Sequence, residues 1–268
     1  MFETIRYESE DGVATVTLDR PAVKNAISNL MIEEFATALE VVSEEDDVRV
    51  LLVTGAGDTF SSGYDLGESG ATQSGHPTVE AMLDRYDFAS TIVDAVVDLD
   101  VPAIAAVEGY ALAGGCDLAC ACDLTIASDT ARFGYPGVRM GGLPPSLIYP
   151  YVMNNFKQVR ELLYTGKVIS AERAEHFGMV NRIVPSEDLH AEVATEIDEI
   201  KKVPKPVVRL LKHSLNNVMH VQGFGAATKN NEFLDTLAHL TEDGKRWFEI
   251  RDEQGVNAAI EWMNEVDK

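Results

Sequence analysis

Basic residues are scarce in this chain: 22 lysines and arginines stand against 44 aspartates and glutamates over 268 residues, a formal net charge of −22. A surface of that sign repels phosphodiester backbones and anionic lipid, which disfavours nucleic-acid and membrane-surface roles. No apolar run approaches the length that spans a bilayer, and Met1-Phe2-Glu3-Thr4-Ile5-Arg6 has neither a basic n-region nor an apolar h-region. A cytoplasmic protein is expected. Cys116, Cys120 and Cys122 are the only cysteines, and their C-x3-C-x-C spacing lacks the paired C-x2-C of a zinc site, with no histidine nearby in sequence. They read as small packing residues, and no metal site is expected. The six histidines, His76, His176, His190, His213, His220 and His239, match no nucleophile or ligand pattern. No serine sits in a G-x-S-x-G elbow, so a serine-hydrolase triad is not expected. The G-A-G at 55–57 lacks the third glycine and the following helix of a dinucleotide fingerprint.

What is present is a normal globular composition, with 46% hydrophobic residues. The acids are spread along the whole length, as in proteins adapted to high cytoplasmic salt, where a screening length of about 3 Å at 1 M removes self-repulsion; the alternative is an acidic mesophile protein. Phe2–Ser9 and Val13–Leu18 predict two strands hinged at Asp11-Gly12. Ser28 is a candidate N-cap for a helix to about Ser43, with Met31, Phe35, Ala38, Leu39 and Val42 on one face. Val48–Thr54 reads as a buried strand, and the glycine- and serine-rich stretch 55–66 as a functional loop. Gly67–Thr78 reads as a mobile segment and Val79–Leu99 as a long helix. Asp123–Ala127 and Met179–Val184 predict strands, while Ser146–Phe156, Lys157–Tyr164 and Ala171–Phe177 predict helices. From Glu187 the pattern is helical, with breaks at Val203-Pro204-Lys205-Pro206 and at Gly223, Gly225, Gly244 and Gly255. The division is an α/β body to about residue 200 and an all-helical region over 201–268.

The organising stretch is Ala103–Thr125. A short apolar strand, Ala103–Val107, turns at Glu108-Gly109, and Gly114-Gly115-Cys116-Asp117 opens a helix. The first amides of a helix have no intrahelical partner and the macrodipole adds partial positive charge there. Gly114 N–H is therefore suited to an oxygen gaining negative charge. Asp117, in the first turn, is a carboxylate suited to moving a proton; the alternative is an ordinary first-turn acid.

Five segments resemble the crotonase superfamily, the enoyl-CoA hydratase/isomerase family, in order and spacing: L-D-R-P-A-V-K-N-A-I (18–27), G-A-G-D-T-F-S-S-G-Y-D-L (55–66), A-A-V-E-G-Y-A-L-A-G-G-C-D-L-A (105–119), Y-T-G-K-V-I-S-A-E-R-A-E-H-F-G-M-V (164–180) and D-E-Q-G (252–255). The resemblance implies an α/β fold of stacked ββα turns and a C-terminal helical region that packs homotrimers or hexamers. It also implies an acyl-CoA thioester substrate whose carbonyl oxygen is held by the amides of Tyr64 and Gly114, with no metal or redox cofactor and coenzyme A present only as part of the substrate. By the same resemblance Lys24, Ala26, Ser62, Asp65, Leu66, Tyr135 and Gly137 border the substrate. Lys24 is placed to meet a CoA phosphate, Asp65 to tie its loop, and Gly67 stands where many relatives carry a lysine.

Two departures bear on chemistry. Hydratases of the family use two glutamates; here their positions hold Asp117 and, in F-G-Y-P-G, Gly137. One shortened carboxylate shifts weight from hydration towards isomerisation, decarboxylation or thioester hydrolysis, or to a non-catalytic acyl-CoA-binding subunit. Gly141-Gly142-Leu143-Pro144-Pro145 also replaces the family's glycine-rich turn. Tyr135 and Arg139 flank the missing glutamate as substitutes, against the readings of a packed tyrosine and a surface arginine.

Overall fold

The computed structural model describes residues 2–68 and 79–265. Asp11 and Gly12, at φ 50° and 77°, turn β1 (Ile5–Glu10) onto β2 (Val13–Leu18), pairing Ile5 with Leu18 and Glu10 with Val13. A two-residue hairpin turn needs that pair of positive φ values. Ser28 caps α1 (Asn29–Glu44) by accepting from Met31 N–H at 3.1 Å, a cap worth about 1 kcal/mol. The five residues expected on its inner face are all buried. Next come β3 (Val50–Gly55), α2 (Val79–Val97), β4 (Ala103–Val107), β5 (Tyr110–Leu112), α3 (Gly114–Ala121), β6 (Leu124–Ser128) and β7 (Arg132–Gly134). They are followed by α4 (Tyr149–Val152), α5 (Phe156–Thr165), β8 (Ile169–Ser170), α6 (Ala171–Phe177) and β9 (Arg182–Val184). The remainder is α7 (Leu189–Lys202), α8 (Lys205–Val221), α9 (Phe224–His239), α10 (Glu242–Gln254) and α11 (Val256–Glu265).

The larger sheet has the order β1-β2-β3-β4-β6-β9 and is parallel beyond the opening hairpin. Both faces of its centre are covered, so its strands read as continuous apolar runs. Leu51, Val53, Ala105 and Val107 join the main core with α1, α2 and α3, whereas Val50, Ile104, Ala106 and Ile126 pack on Leu189, Val193 and Ile197 of α7. A smaller sheet, β5-β7-β8, carries the turn that leads into α3. Single bridges, Ile27 to Tyr64 and Ser61 to Ala111, tie the 55–66 loop beside it.

Three expectations about elements are corrected. Ser146–Phe156 is helical only over Tyr149–Val152, and Asn155 starts a new helix at Phe156 by accepting from the amides of Lys157 and Gln158. Gly225 and Gly244 do not break helices but lie inside α9 and α10. A Cβ on Gly244 would stand 2.6 Å from the His239 carbonyl oxygen, so glycine lets α10 begin hard against the end of α9. Of the stretch expected to be mobile, residues 69–78 lie outside the described residues. No helix among the described residues is long and apolar enough to cross a membrane.

Candidate active site

Loop 61–65 is fixed by backbone bonds. Ile27 N–H donates to Gly63 O at 2.8 Å, Asp65 N–H to Ile27 O at 2.9 Å, and Gly63 N–H to Ser61 Oγ at 3.1 Å. Asn25, fully buried at φ 51°, supports the loop from behind: its Nδ2 donates to Ala56 O at 2.9 Å and Thr59 O at 2.6 Å, and its Oδ1 accepts Arg20 N–H at 2.9 Å. Among the described residues, neither Tyr64 N–H nor Gly114 N–H has a hydrogen-bond acceptor. The two amides are neighbours. Gly63, at φ 100°, packs so closely on the start of α3 that a Cβ there would lie 2.7 Å from Ala113 Cβ and 3.4 Å from Gly114 N. Ala113 makes the turn into α3 at φ 46°, ψ −121°, a conformation that costs an alanine on the order of 1–3 kcal/mol. That cost falls where the chain leaves β5 and enters α3 at Gly114.

A cavity of about 600 Å³ lies beside these amides, within the range of small-molecule sites. Of the residues expected at the substrate, Ala26, Ser62, Tyr64, Asp65, Leu66, Tyr135 and Gly137 all line it. Lys24 is exposed and outside the wall, its ammonium 5.5 Å from the centre of the Tyr110 ring. Asp65 accepts from Arg20 at 2.9 Å and from Gly67 N–H at 3.0 Å, which ties the loop. Gly114 sits behind Tyr64, whose ring would stand 2.6 Å from a Cβ added there, and Ala113 forms the wall in front. The Tyr64 hydroxyl donates to Ala89 O at 3.2 Å.

Asp117 stands apart from these residues. Its carboxyl is fully buried and is not part of the cavity wall. Tyr149 Oη donates to its Oδ1 at 2.6 Å, and its Oδ2 has no partner among the described residues. Burial holds this carboxyl well above the usual carboxylate range, against the opposing bond from Tyr149. A buried carboxyl that is bonded to Tyr149 and stands off the cavity wall is poorly placed to take a proton from a ligand there. Around Gly137 the structure also chooses between readings. A Cβ there would meet the Tyr135 ring at 2.8 Å, and Tyr135, nearly buried, donates its hydroxyl to Leu143 O at 3.1 Å. Tyr135 is thus a packed residue with one face on the cavity. Arg139 is exposed, bonds Thr165 O at 2.7 Å, and does not reach the cavity.

Arg85, Asp235, His239 and Trp247 also line the cavity and were given no role from sequence. Asp235 and His239 are four residues apart on α9, a spacing that places two side chains together on one helix face. That spacing was legible, but nothing local showed which way the face of α9 turns. The cysteines are free and buried, as expected.

The family model for enoyl-CoA hydratase/isomerase matches residues 8–252. A probable enoyl-CoA hydratase of Mycobacterium bovis is 32% identical over 220 residues, which cover 80% of this chain and 82% of that one. A crotonyl-CoA hydratase of Syntrophomonas wolfei is 33% identical over 227 residues, covering 81% and 83%. The crystal structure of an enoyl-CoA hydratase/isomerase from Xanthobacter autotrophicus Py2 superposes with a TM-score of 0.87 at 31% identity over 98% of each chain. The layered sheets, the adjoining amides and these matches agree, and the chain belongs to the enoyl-CoA hydratase/isomerase family of the crotonase superfamily.

Proposed function

We propose that the protein binds an acyl-CoA thioester and converts it through an enolate whose oxygen is held by Tyr64 N–H and Gly114 N–H. The observation that carries this reading is the adjacency of the two amides, each without an acceptor among the described residues. Donors fixed before the reaction stabilise developing charge without reorganisation, and loss of one costs about 2.7–4 kcal/mol in comparable sites. The acyl part occupies the cavity, and Lys24, outside its wall near Val23 and Ala26, is offered to a CoA phosphate. No metal or redox cofactor enters the scheme.

Gly137 leaves no carboxylate at the second position, and the Tyr135 ring fills the space in which a side chain there would start. Moving a double bond by a 1,3-proton shift needs a single mobile base, so isomerisation is the favoured outcome. Hydration is the second reading, supported by the names of the relatives. Decarboxylation and thioester hydrolysis would use the same amides. Incubation with crotonyl-CoA and with a 3-enoyl-CoA, followed by mass spectrometry, separates these: gain of water marks a hydratase, and a moved double bond without mass change marks an isomerase. Tight binding of a wide panel of CoA esters without turnover would sink the enzymatic reading.

The assembly is a homotrimer or hexamer. Its support is the outer face of α8, where Val207, Leu211, Leu215, Val218 and Val221 are all exposed at intervals of three and four residues. A soluble helix rarely shows such an apolar stripe to water without a partner.

A further inference from the structure

Among the described residues, the cavity wall carries a pair of titratable side chains arranged as a base with its support, Asp235 and His239. His239 Nδ1 lies 2.9 Å from Asp235 O and 3.2 Å from Asp235 Oδ1. Asp235, fully buried, is itself anchored by Leu143 N–H, which donates to its Oδ1 at 2.5 Å, while its Oδ2 has no partner among the described residues. The imidazole packs against Phe248 at 5.4 Å between ring centres and turns its other edge to the 137–142 turn. There a Cβ on Gly142 would stand 3.3 Å from His239 Cε1, 3.5 Å from His239 Nε2 and 3.7 Å from Gly137 O. The glycine at 142 therefore makes room for the ring, and the ring stands beside the residue that lacks a carboxylate. Arg85 of α2, Asp65, Tyr64 and Tyr135 are the other charged or titratable groups of the cavity wall.

We propose, resting on the enolate reading above, that His239 is the catalytic residue that moves the proton and that Asp235 is its positioning residue. Nδ1 bonds the Asp235 carbonyl oxygen with the Asp235 carboxylate 3.2 Å away, so proton transfer is assigned to Nε2, on the ring edge beside Gly142. Nε2 takes a proton from the α-carbon of the bound thioester; that C–H bond breaks, its electron pair forms the α-carbon to carbonyl-carbon double bond, and the carbonyl π pair moves to the oxygen held by the Tyr64 and Gly114 amides. In the return step the Nε2–H bond breaks and a C–H bond forms at the α- or γ-carbon, so protons and charge balance. Asp235 steadies the transient imidazolium.

The test is exchange of the α-protons of butyryl-CoA in D2O, with binding of the same ester measured by calorimetry. Wild type exchanges, and His239→Gln lowers the exchange rate by about 10²-fold or more with binding kept. Added imidazole restores part of the rate to His239→Ala, a recovery that a misfolded variant does not show. Asp235→Asn lowers kcat on the active enoyl-CoA without raising KM, and Asp235→Glu recovers part of it. Exchange by His239→Gln at the wild-type rate overturns the proposal, as does loss of exchange together with loss of binding. A wild-type protein that binds the ester and exchanges nothing overturns the enolate reading and this proposal with it.

Discussion

A methyl group on Gly114 would press on the Tyr64 ring, 2.6 Å from its Cε2, and so push apart the two residues whose amides are proposed to hold the thioester oxygen. Gly114→Ala is expected to lower kcat by about 10²-fold, the scale of losing one oxyanion donor. Steady-state kinetics on the active enoyl-CoA checks this, and a kcat close to wild type removes the two-amide site. Asp117 leads to a different measurement. Its native carboxyl holds its proton far above the ordinary range because of burial, whereas in the unfolded chain it titrates near about 3.9. Its contribution to stability is therefore complete below that pH and is lost as pH rises, by at most about 1.4 kcal/mol per unit, until the native carboxyl ionises. The stability of Asp117→Asn relative to wild type should increase from pH 4 to pH 8 in urea titrations. A pH-independent difference would show that the native carboxyl is not held neutral. Glycine at 114 and acid at 117 were legible in sequence. What the acid touches was not, because Tyr149 comes to it from 32 residues away.

Among elements, the short ones carried least signal in sequence. β5 and β7 have three residues each and β8 has two, too few for a period to emerge. Yet β5 delivers the chain into Ala113 and Gly114. α1 by contrast announced itself through cap and stripe. α8 announced amphipathicity, but periodicity alone does not say whether an apolar face meets its own core or another chain. Here Lys212 is the buried side chain of α8, held by Val96 O at 3.0 Å, Val101 O at 2.9 Å and Asp123 at 2.9 Å, while Val207, Leu211, Leu215, Val218 and Val221 are exposed. If α8 carries the proposed interface, replacing Leu211 and Leu215 together by glutamate is expected to give single chains with the secondary structure kept. Light scattering after size exclusion, with circular dichroism, reads both; wild type already running as a monomer would refute the interface.

For the whole molecule, the net charge of −22 is spread over one chain, and like charges oppose compaction unless ions screen them. Because the Debye length falls from about 10 Å at 0.1 M to about 3 Å at 1 M, the melting temperature should rise by several degrees between 0.1 M and 2 M KCl. A thermal scan at constant pH that shows no rise argues against adaptation to high salt. The cavity too is a property of the whole: its walls come from the N-terminal loops and from α9, α10 and α11, so a division near residue 200 runs through the site. Trp247 and Phe248, which line the cavity, form a core cluster with Met82 of α2 that joins the helical region to the α/β body.

The amino-acid order by itself determined the opening hairpin, the Ser28 cap and the strand-to-helix turn at Gly114, because each of these is set by neighbours within a few positions, while the loop residues bordering the cavity followed from the family resemblance. Only the tertiary structure decided which acid and which imidazole share the cavity. Asp117 is buried against Tyr149 away from the cavity wall, and His239 lines the cavity beside the 137–142 turn. Those contacts join residues 30 to 100 positions apart, and the direction a side chain faces across such a distance is fixed by packing rather than by sequence spacing.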